Sequence, residues 1–528
     1  MTYSWKLYRK RLIEGLLDSR ARESLFVLGI DLGNHSSSLA FYDINRGNTE
    51  VVDVSGGYGK PGMPTALQYV KESREWVFGE YALLNRGATS DVVYTGLVEK
   101  LPRKEYLDVD GKPMSAEQVC AIFLKEFLAN CRNINPKAEF AGITLAVPSY
   151  TSDETREAIT QVFKLAGCEK PLIAMDADRE CVFSWYFTRK GRENIRAENV
   201  ALLDFGAREL RGGIYEITPG EDTVNIRCIS SLFDKNCGTD VVDNQVSQML
   251  TDFYLEETKT PKARLEPRIA GQIQAFAYQH KDLLFQQNLK ARPVKLYYNF
   301  VYPPIVNSVT EADMAKFIAP HKDAFSHFLE RLMGQTGVAP EVSTVICVGG
   351  GFEMLWARTA VGDFFSDSEI VLTKNPKAVV AEGASIRSAE ALTIREPILF
   401  RIEDRHMLDV DVGVNVRGKE RKERFYPIAE HGSFWWQERE PVTFLYSGPT
   451  GVDAGDLQLL IRNSQGDMQT LGQIPLSGLP TRPPGTTRLS LSLAFTSHDR
   501  LTITLRDLGF GELFPMAEFE RVGEFEII

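Results

Sequence analysis

The stretch Val27–Asp43, VLGIDLGNHSSSLAFYD, decides the fold. Val27, Leu28 and Ile30 form an apolar run that ends on Asp31. Gly33 then opens a polar turn through Asn34, His35, Ser36, Ser37 and Ser38, and Leu39, Phe41 and Tyr42 resume a strand-like pattern. The reading is a β-hairpin whose turn is the size of a phosphate group. Gly29 and Gly33 remove side-chain bulk so that backbone N–H groups can approach an anion, and Asp31 at the strand end can hold a hydrated Mg²⁺. Alone, the same residues also read as an ordinary hairpin with a Gly-Asn turn.

A second strand-turn-strand stands at residues 199–217, NVALLDFGARELRGGIYEI, where Asp204 again precedes a glycine, Gly206, by two positions at the end of an apolar strand. Two such hairpins imply an internal duplication, with a nucleotide held between related halves by one turn from each. A third candidate is STVICVGGGFEML, residues 343–355, an apolar strand running into Gly349, Gly350 and Gly351. Those glycines let the backbone lie flat against a base or ribose, or simply permit a tight strand-to-helix turn.

Between the hairpins the grammar is that of an α/β protein. Residues 79–84 start a helix, and residues 115–130 carry Val119, Ile122, Phe123 and Phe127 on one helical face. An apolar strand over 143–147 meets Pro148. Thr151 and Glu154 then form a capping box, and a helix runs to a stop at Gly167. After Leu392 helical periodicity gives way to alternation (Leu408, Val410, Val412, Val414, Val416; Leu489, Leu491, Leu493, Phe495; Leu501, Ile503, Leu505), broken by turn clusters such as GLPTRPPG. This predicts a separate antiparallel β domain with one buried face per strand.

A chain of 528 residues is too long for one core, and its 43% apolar and 25% charged residues are those of an ordinary soluble protein. No apolar run reaches bilayer length, so no transmembrane helix is expected. The seven cysteines show no CxxC pair or zinc spacing, which, with no signal peptide, points to a reducing cytoplasm. The net charge of −11 argues against nucleic acid as a partner. Residues 1–24 are the exception to that charge: a basic, amphipathic extension bearing Trp5, Leu12, Ile13, Leu16 and Leu17, which reads as a helix docking on a partner, on a membrane surface or on its own domain.

Taken together these residues resemble the 70-kilodalton heat-shock (DnaK-type) chaperones, of the actin-like ATPase superfamily. GIDLGNHSSSLAF is similar to that family's first phosphate hairpin and LLDFGARELRGG to its second. CGTDVVDNQV resembles its GGxxFDN segment, VICVGGGFEML its adenosine loop, NPKAVVAEGAS its closing helix, and residues 471–507 its peptide-binding sandwich. The resemblance implies a duplicated, ribonuclease H-like, actin-like nucleotide-binding domain over 25–395. An apolar linker over 396–403 and a β-sandwich over 404–528 follow, with no helical lid.

The resemblance further implies ATP or ADP as ligand, with Gly29, Asp31, Gly33, Asn34, His35, Ser36, Gly206, Lys281, Gly349, Gly350 and Gly351 around it. Mg²⁺ would be held through water by Asp31 and Asp204, and Lys100, Asp178 and Asp204 would stand in catalytic positions. Protein or peptide clients and a co-chaperone-like partner follow from the same likeness. The departures are in the second turn, where Ala207, Arg208 and Glu209 stand in place of the family's glycines and threonine. Side chains there take the space of phosphates, and Glu209 repels them, while Arg208 can pair with one. Two readings result: a chaperone-like protein with weak ATP hydrolysis, and a pseudo-ATPase acting as a protein-binding or assembly module. The linker EPILF either docks and releases with nucleotide or is a permanent strand.

Overall fold

A computed structural model describes residues 25–527 apart from 56–59, 88, 90, 102–104, 135–138, 149–150, 152, 169–171, 287–292, 335–339, 404–407, 409, 418–422, 432, 434, 436–438, 452–453, 464–465 and 498–499. The expected basic extension over 1–24 lies outside the described residues. Contacts divide the chain into two units, one running to Glu403 and the other from residue 404 onward.

In the N-terminal unit the first sheet contains β1 (Leu25–Asp31), β2 (Ser36–Asp43), β3 (Asn48–Val51), β4 (Glu139–Val147) and β5 (Leu172–Ala177) in the order β3-β2-β1-β4-β5, with the short strand Gly62–Pro64 also on β2. The second contains β6 (Glu198–Phe205), β7 (Leu210–Pro219), β8 (Val224–Asp234), β9 (Thr344–Val348) and β10 (Glu369–Leu372) in the matching order β8-β7-β6-β9-β10. Each is an antiparallel three-strand meander extended by two parallel strands. The duplication suggested by the two Asp-x-Gly hairpins is thus present in the topology.

Helix α1 (Ala116–Ile134) begins with a reciprocal box, Gln118 N–H donating to Ser115 Oγ and Ser115 N–H to Gln118 Oε1. It buries Val119, Cys120, Phe123, Leu124 and Phe127 under the first sheet, each large side chain contributing about 1.5–3 kcal/mol. Helix α2 (Asp153–Leu165) ends in a Schellman arrangement: Gly167 at φ +76 donates to Lys164 O, and Cys168 N–H to Phe163 O.

Helices α3 (Asp178–Lys190) and α8 (Val379–Ala391) share one core with both sheets. Val27 and Ala146 come from the first sheet, Val200, Leu202 and Tyr215 from the second, and Phe183 and Phe187 from α3. Between the second sheet's meander and its parallel strands lie α4 (Thr239–Thr258), α5 (Pro267–Gln286) and α6 (Glu311–Gly334), and α7 (Leu355–Phe364) follows β9. Gly29 has a packing reason: a Cβ there would lie 2.1 Å from Ala381 O and 2.1 Å from Ser385 N of α8. Its missing side chain admits a helix.

The apolar linker closes this unit. Its residues Phe400–Glu403 form β11, parallel to β8 at the edge of the second sheet, and Val224 N–H donates to Leu399 O at 2.9 Å. Ile398, Phe400 and Ile402 pack into the shared core, while Leu399 faces solvent.

The C-terminal unit is two four-stranded antiparallel sheets around one core. One contains strands 411–417, 423–429, 456–462 and 468–475; the other contains 442–446, 487–497, 500–507 and 520–526. The alternation read in the sequence is the burial pattern observed: Leu489, Leu491, Leu501, Ile503 and Leu505 are all inside. Among the described residues no helix is long and apolar enough to cross a membrane.

Candidate functional site

The two hairpins face one another through their strand ends. In the first, Asp31 stands opposite Ser38; in the second, Asp204 stands opposite Arg211. Directly opposed residues of an antiparallel pair share a face of the sheet, so the second hairpin brings a guanidinium to its own aspartate. Arg211 Nη2 lies 2.5 Å from Asp204 Oδ2, Nη1 lies 2.5 Å from Asp178 Oδ2, and Nε lies 3.5 Å from Glu209 Oε1. Asp178 is the first residue of α3, its Oδ1 accepting the N–H of Arg179. Burial first, then the charges of Asp204 and Asp178, push the Asp31 carboxyl up to about 7. Burial also raises Asp204, against the lowering effect of Arg211.

The resemblance implied a magnesium ion held by Asp31 and Asp204. The Arg211 guanidinium bridges two carboxylates with one nitrogen on each, Asp204 and Asp178, while among the described residues no ion pair joins it to Asp31. It occupies Asp204 Oδ2, an oxygen that the water shell of an Mg²⁺ would use, so the magnesium implied by the resemblance does not fit Asp204 as it stands. Among the described residues no group of three or more His, Cys, Asp or Glu is arranged to hold a metal ion.

The turns are equally engaged. Gly206 N–H donates to Glu209 O, closing the second turn. The first two amides of α4 donate into that turn, Thr239 N–H to Gly206 O at 3.1 Å and Asp240 N–H to Ala207 O at 2.7 Å. Helix N-terminal donors that would otherwise face an anion are therefore used by backbone carbonyls. Arg208 pairs with Glu99 at 2.6 Å, and Asn34 Oδ1 accepts the N–H of the same Glu99, so both hairpins meet at one residue. His35 Nδ1 lies 3.1 Å from Asp240 Oδ1. Burial, then Lys281, holds that imidazole at about 4, and burial, then Asp243, raises Asp240 to about 6.

The remaining expected residues divide. Gly33 O accepts Thr65 Oγ1 and Ser36 Oγ donates to Met63 O, which fixes the first turn. Lys281 pairs with Asp243 at 2.5 Å and stacks on Tyr278. Lys100 Nζ donates to the carbonyls of Thr95 and Gly96. Gly349, at φ +93, and Gly351 are explained by packing: a Cβ on the first would lie 2.5 Å from Phe205 O, and on the second 2.2 Å from the Phe205 ring. The strand-to-turn geometry by itself therefore accounts for Gly349 and Gly351. Sequence reasoning missed Arg211 and Lys377. Arg211 was recoverable by counting the second hairpin's pairs outward from its turn.

Two family models match: a domain of unknown function (DUF8552) over residues 407–527, and the C-terminal part of a family of unknown function (DUF5716) over 48–251. The chain is 23% identical over 515 residues to the chaperone protein DnaK of Thermotoga petrophila and, equally, of Thermotoga maritima, covering 93% of this chain and 80% of each relative. It is 22% identical to that of Thermotoga neapolitana over the same span. Weak identity with broad coverage indicates a distant DnaK-like relationship, and a mixed α/β unit followed by an all-β unit fits a two-domain organisation of that kind.

Proposed function

We propose that this chain is a chaperone-like pseudo-ATPase: an actin-like core that does not turn over ATP, joined to a β-sandwich that binds protein or peptide clients. The observation that carries the reading is Arg211 seated on Asp178 and Asp204. Phosphoryl transfer depends on a bridging metal, donors aimed at the phosphates and a positioned water. Here a guanidinium sits on Asp178 and Asp204, the second turn's carbonyls accept the first amides of α4 while its Gly206 N–H donates to Glu209 O, Arg208 is on Glu99, and Lys100 is on backbone carbonyls. Between weak hydrolysis and none, these contacts favour none. Client binding is supported by the DnaK-like relationship and by the two-sheet unit, whose loops and edges can take an extended peptide by backbone pairing.

The test is phosphate release from ATP by the purified chain with excess Mg²⁺, together with fluorescence anisotropy using apolar heptapeptides. Release at the buffer background with saturable peptide binding is expected. Mg²⁺-dependent release that Asp204→Asn abolishes would refute the non-hydrolysing reading, and absence of peptide binding would refute the client-binding half.

A further inference from the structure

A recess in the N-terminal unit is lined by none of the residues that the resemblance places around a nucleotide. It lies where the last residue of β6, Phe205, meets Val242 of α4, His321 and Phe325 of α6, and Trp356 of α7. Rings make its walls. Centroid to centroid, Phe205 lies 5.6 Å from Phe325 and 6.0 Å from Trp356, and Phe325 lies 5.9 Å from Trp356. The space enclosed is about 10 Å³, room for the centre of one oxygen-sized atom, and the exposed Ala324 stands on its lining.

Two nitrogens of this lining, Trp356 Nε1 and His321 Nε2, are buried from solvent and have no hydrogen-bond partner among the described residues. Their rings stand 6.5 Å apart, centroid to centroid. A buried polar atom without a partner costs free energy that a bound partner returns. An indole N–H only donates, whereas a neutral imidazole nitrogen donates or accepts according to its tautomer. Burial lowers the pKa of His321, which keeps that ring neutral, and burial, then Asp234, pushes the Cys237 thiol on the same lining up to about 11. Among the described residues no Asp, Glu, Lys or Arg lines the recess, so nothing there would balance a charge on an occupant.

We propose that this recess binds a small neutral hydroxyl compound, an alcohol or a phenol, whose oxygen takes up Trp356 Nε1 and His321 Nε2 while its hydrocarbon part lies against the aromatic wall. A hydroxyl supplies both roles at one atom: it accepts from the indole and either donates to or accepts from the imidazole. The enclosed volume admits a single oxygen, which selects a hydroxyl over a carboxylate with its two oxygens. Mostly apolar walls with a few polar atoms that fix orientation are the usual construction of a small-ligand site. Water offers the same hydrogen bonds, and the aromatic wall is what favours an alcohol over it. Because Phe205 directly follows Asp204, occupancy ties α6 and α7 to the strand end that carries this carboxylate. The inference stands independently of whether the chain hydrolyses ATP.

The experiment is fluorine NMR of the full chain labelled with fluorotryptophan, titrated with phenol and with benzene, the Trp356 signal being assigned by its loss in Trp356→Phe. Phenol is expected to move that signal saturably while the Trp76 and Trp185 signals stay in place, and benzene, which lacks the oxygen, to bind more weakly by about tenfold or more. Calorimetry then compares variants. Trp356→Phe keeps a ring and loses the N–H; His321→Phe does the same for the imidazole and serves should the first not fold. Each is expected to weaken phenol binding by about fivefold or more, while His327→Gln, at an exposed position of the same helix, leaves it unchanged. The proposal is overturned if benzene binds as tightly as phenol, or if the Trp356 and His321 variants bind as wild type does. It is equally overturned if phenol leaves the Trp356 signal where it was, since the recess then takes solvent water only.

Discussion

Replacing Asp31 by Asn separates a metal-holding carboxylate from one confined beside other carboxylates. Burial and the neighbouring Asp204 and Asp178 hold the Asp31 carboxyl at about 7, against an ordinary value of 3.8. When folding raises a carboxyl's pKa, the group contributes fully below its unfolded value and that contribution is lost as pH rises through its folded value, because the unfolded chain releases its proton first. Between about pH 4 and pH 7 the unfolded carboxyl is ionised while the folded one is still protonated. About three pH units at about 1.4 kcal/mol each give a loss of about 4 kcal/mol in the wild type. Asp31→Asn keeps the shape and carries no proton to release, so that loss should disappear from the variant. Urea unfolding followed by tryptophan fluorescence, with Trp76, Trp185 and Trp356 reporting the N-terminal unit, measures both chains from about pH 5 to pH 8. The variant should be the more stable by about 4 kcal/mol at about pH 8, with the gap narrowing to about 1–2 kcal/mol toward about pH 5 and unaffected by Mg²⁺. Parallel pH profiles, or a variant less stable than wild type above neutrality in Mg²⁺, would refute the reasoning and restore Asp31 as a metal anchor.

Two further outcomes concern packing. Gly29→Ala places a Cβ 2.1 Å from the α8 backbone, which cannot give way as a flexible side chain would; a loss of about 3 kcal/mol or more in the N-terminal unit is expected by chemical denaturation. In the C-terminal unit Arg482 pairs bidentately with the buried Asp507 and also donates to Pro515 O, while Asp507 accepts the N–H groups of Gly509 and Ala517. Arg482→Met leaves that carboxylate buried without its guanidinium, so a loss of about 3–5 kcal/mol is expected. Asp507→Asn with Arg482→Met should recover part of it.

What the sequence determined by itself is local. The 3.6-residue period of α1, the positive-φ stop at Gly167 and the alternation of the last strands each depend on neighbours within a few positions, so each was legible. The duplication was legible too, because Asp31 and Asp204 mark equivalent strand ends and the two sheets repeat one strand order.

The cluster between the two hairpins was decided by tertiary structure, because its chemistry lies in pairs far apart in the chain. Asp178 and Arg211 are brought together by α3 and β7, Glu99 and Arg208 by the approach of the two hairpins, and Lys377 reaches Ser38 from the other end of the unit. At Gly29 and Gly349 the space of the missing side chain is filled by α8 and by Phe205, and only the packed structure shows which neighbour fills it. Sequence set the strands that end in carboxylates; the approach of distant segments decided that a guanidinium bridges Asp204 and Asp178.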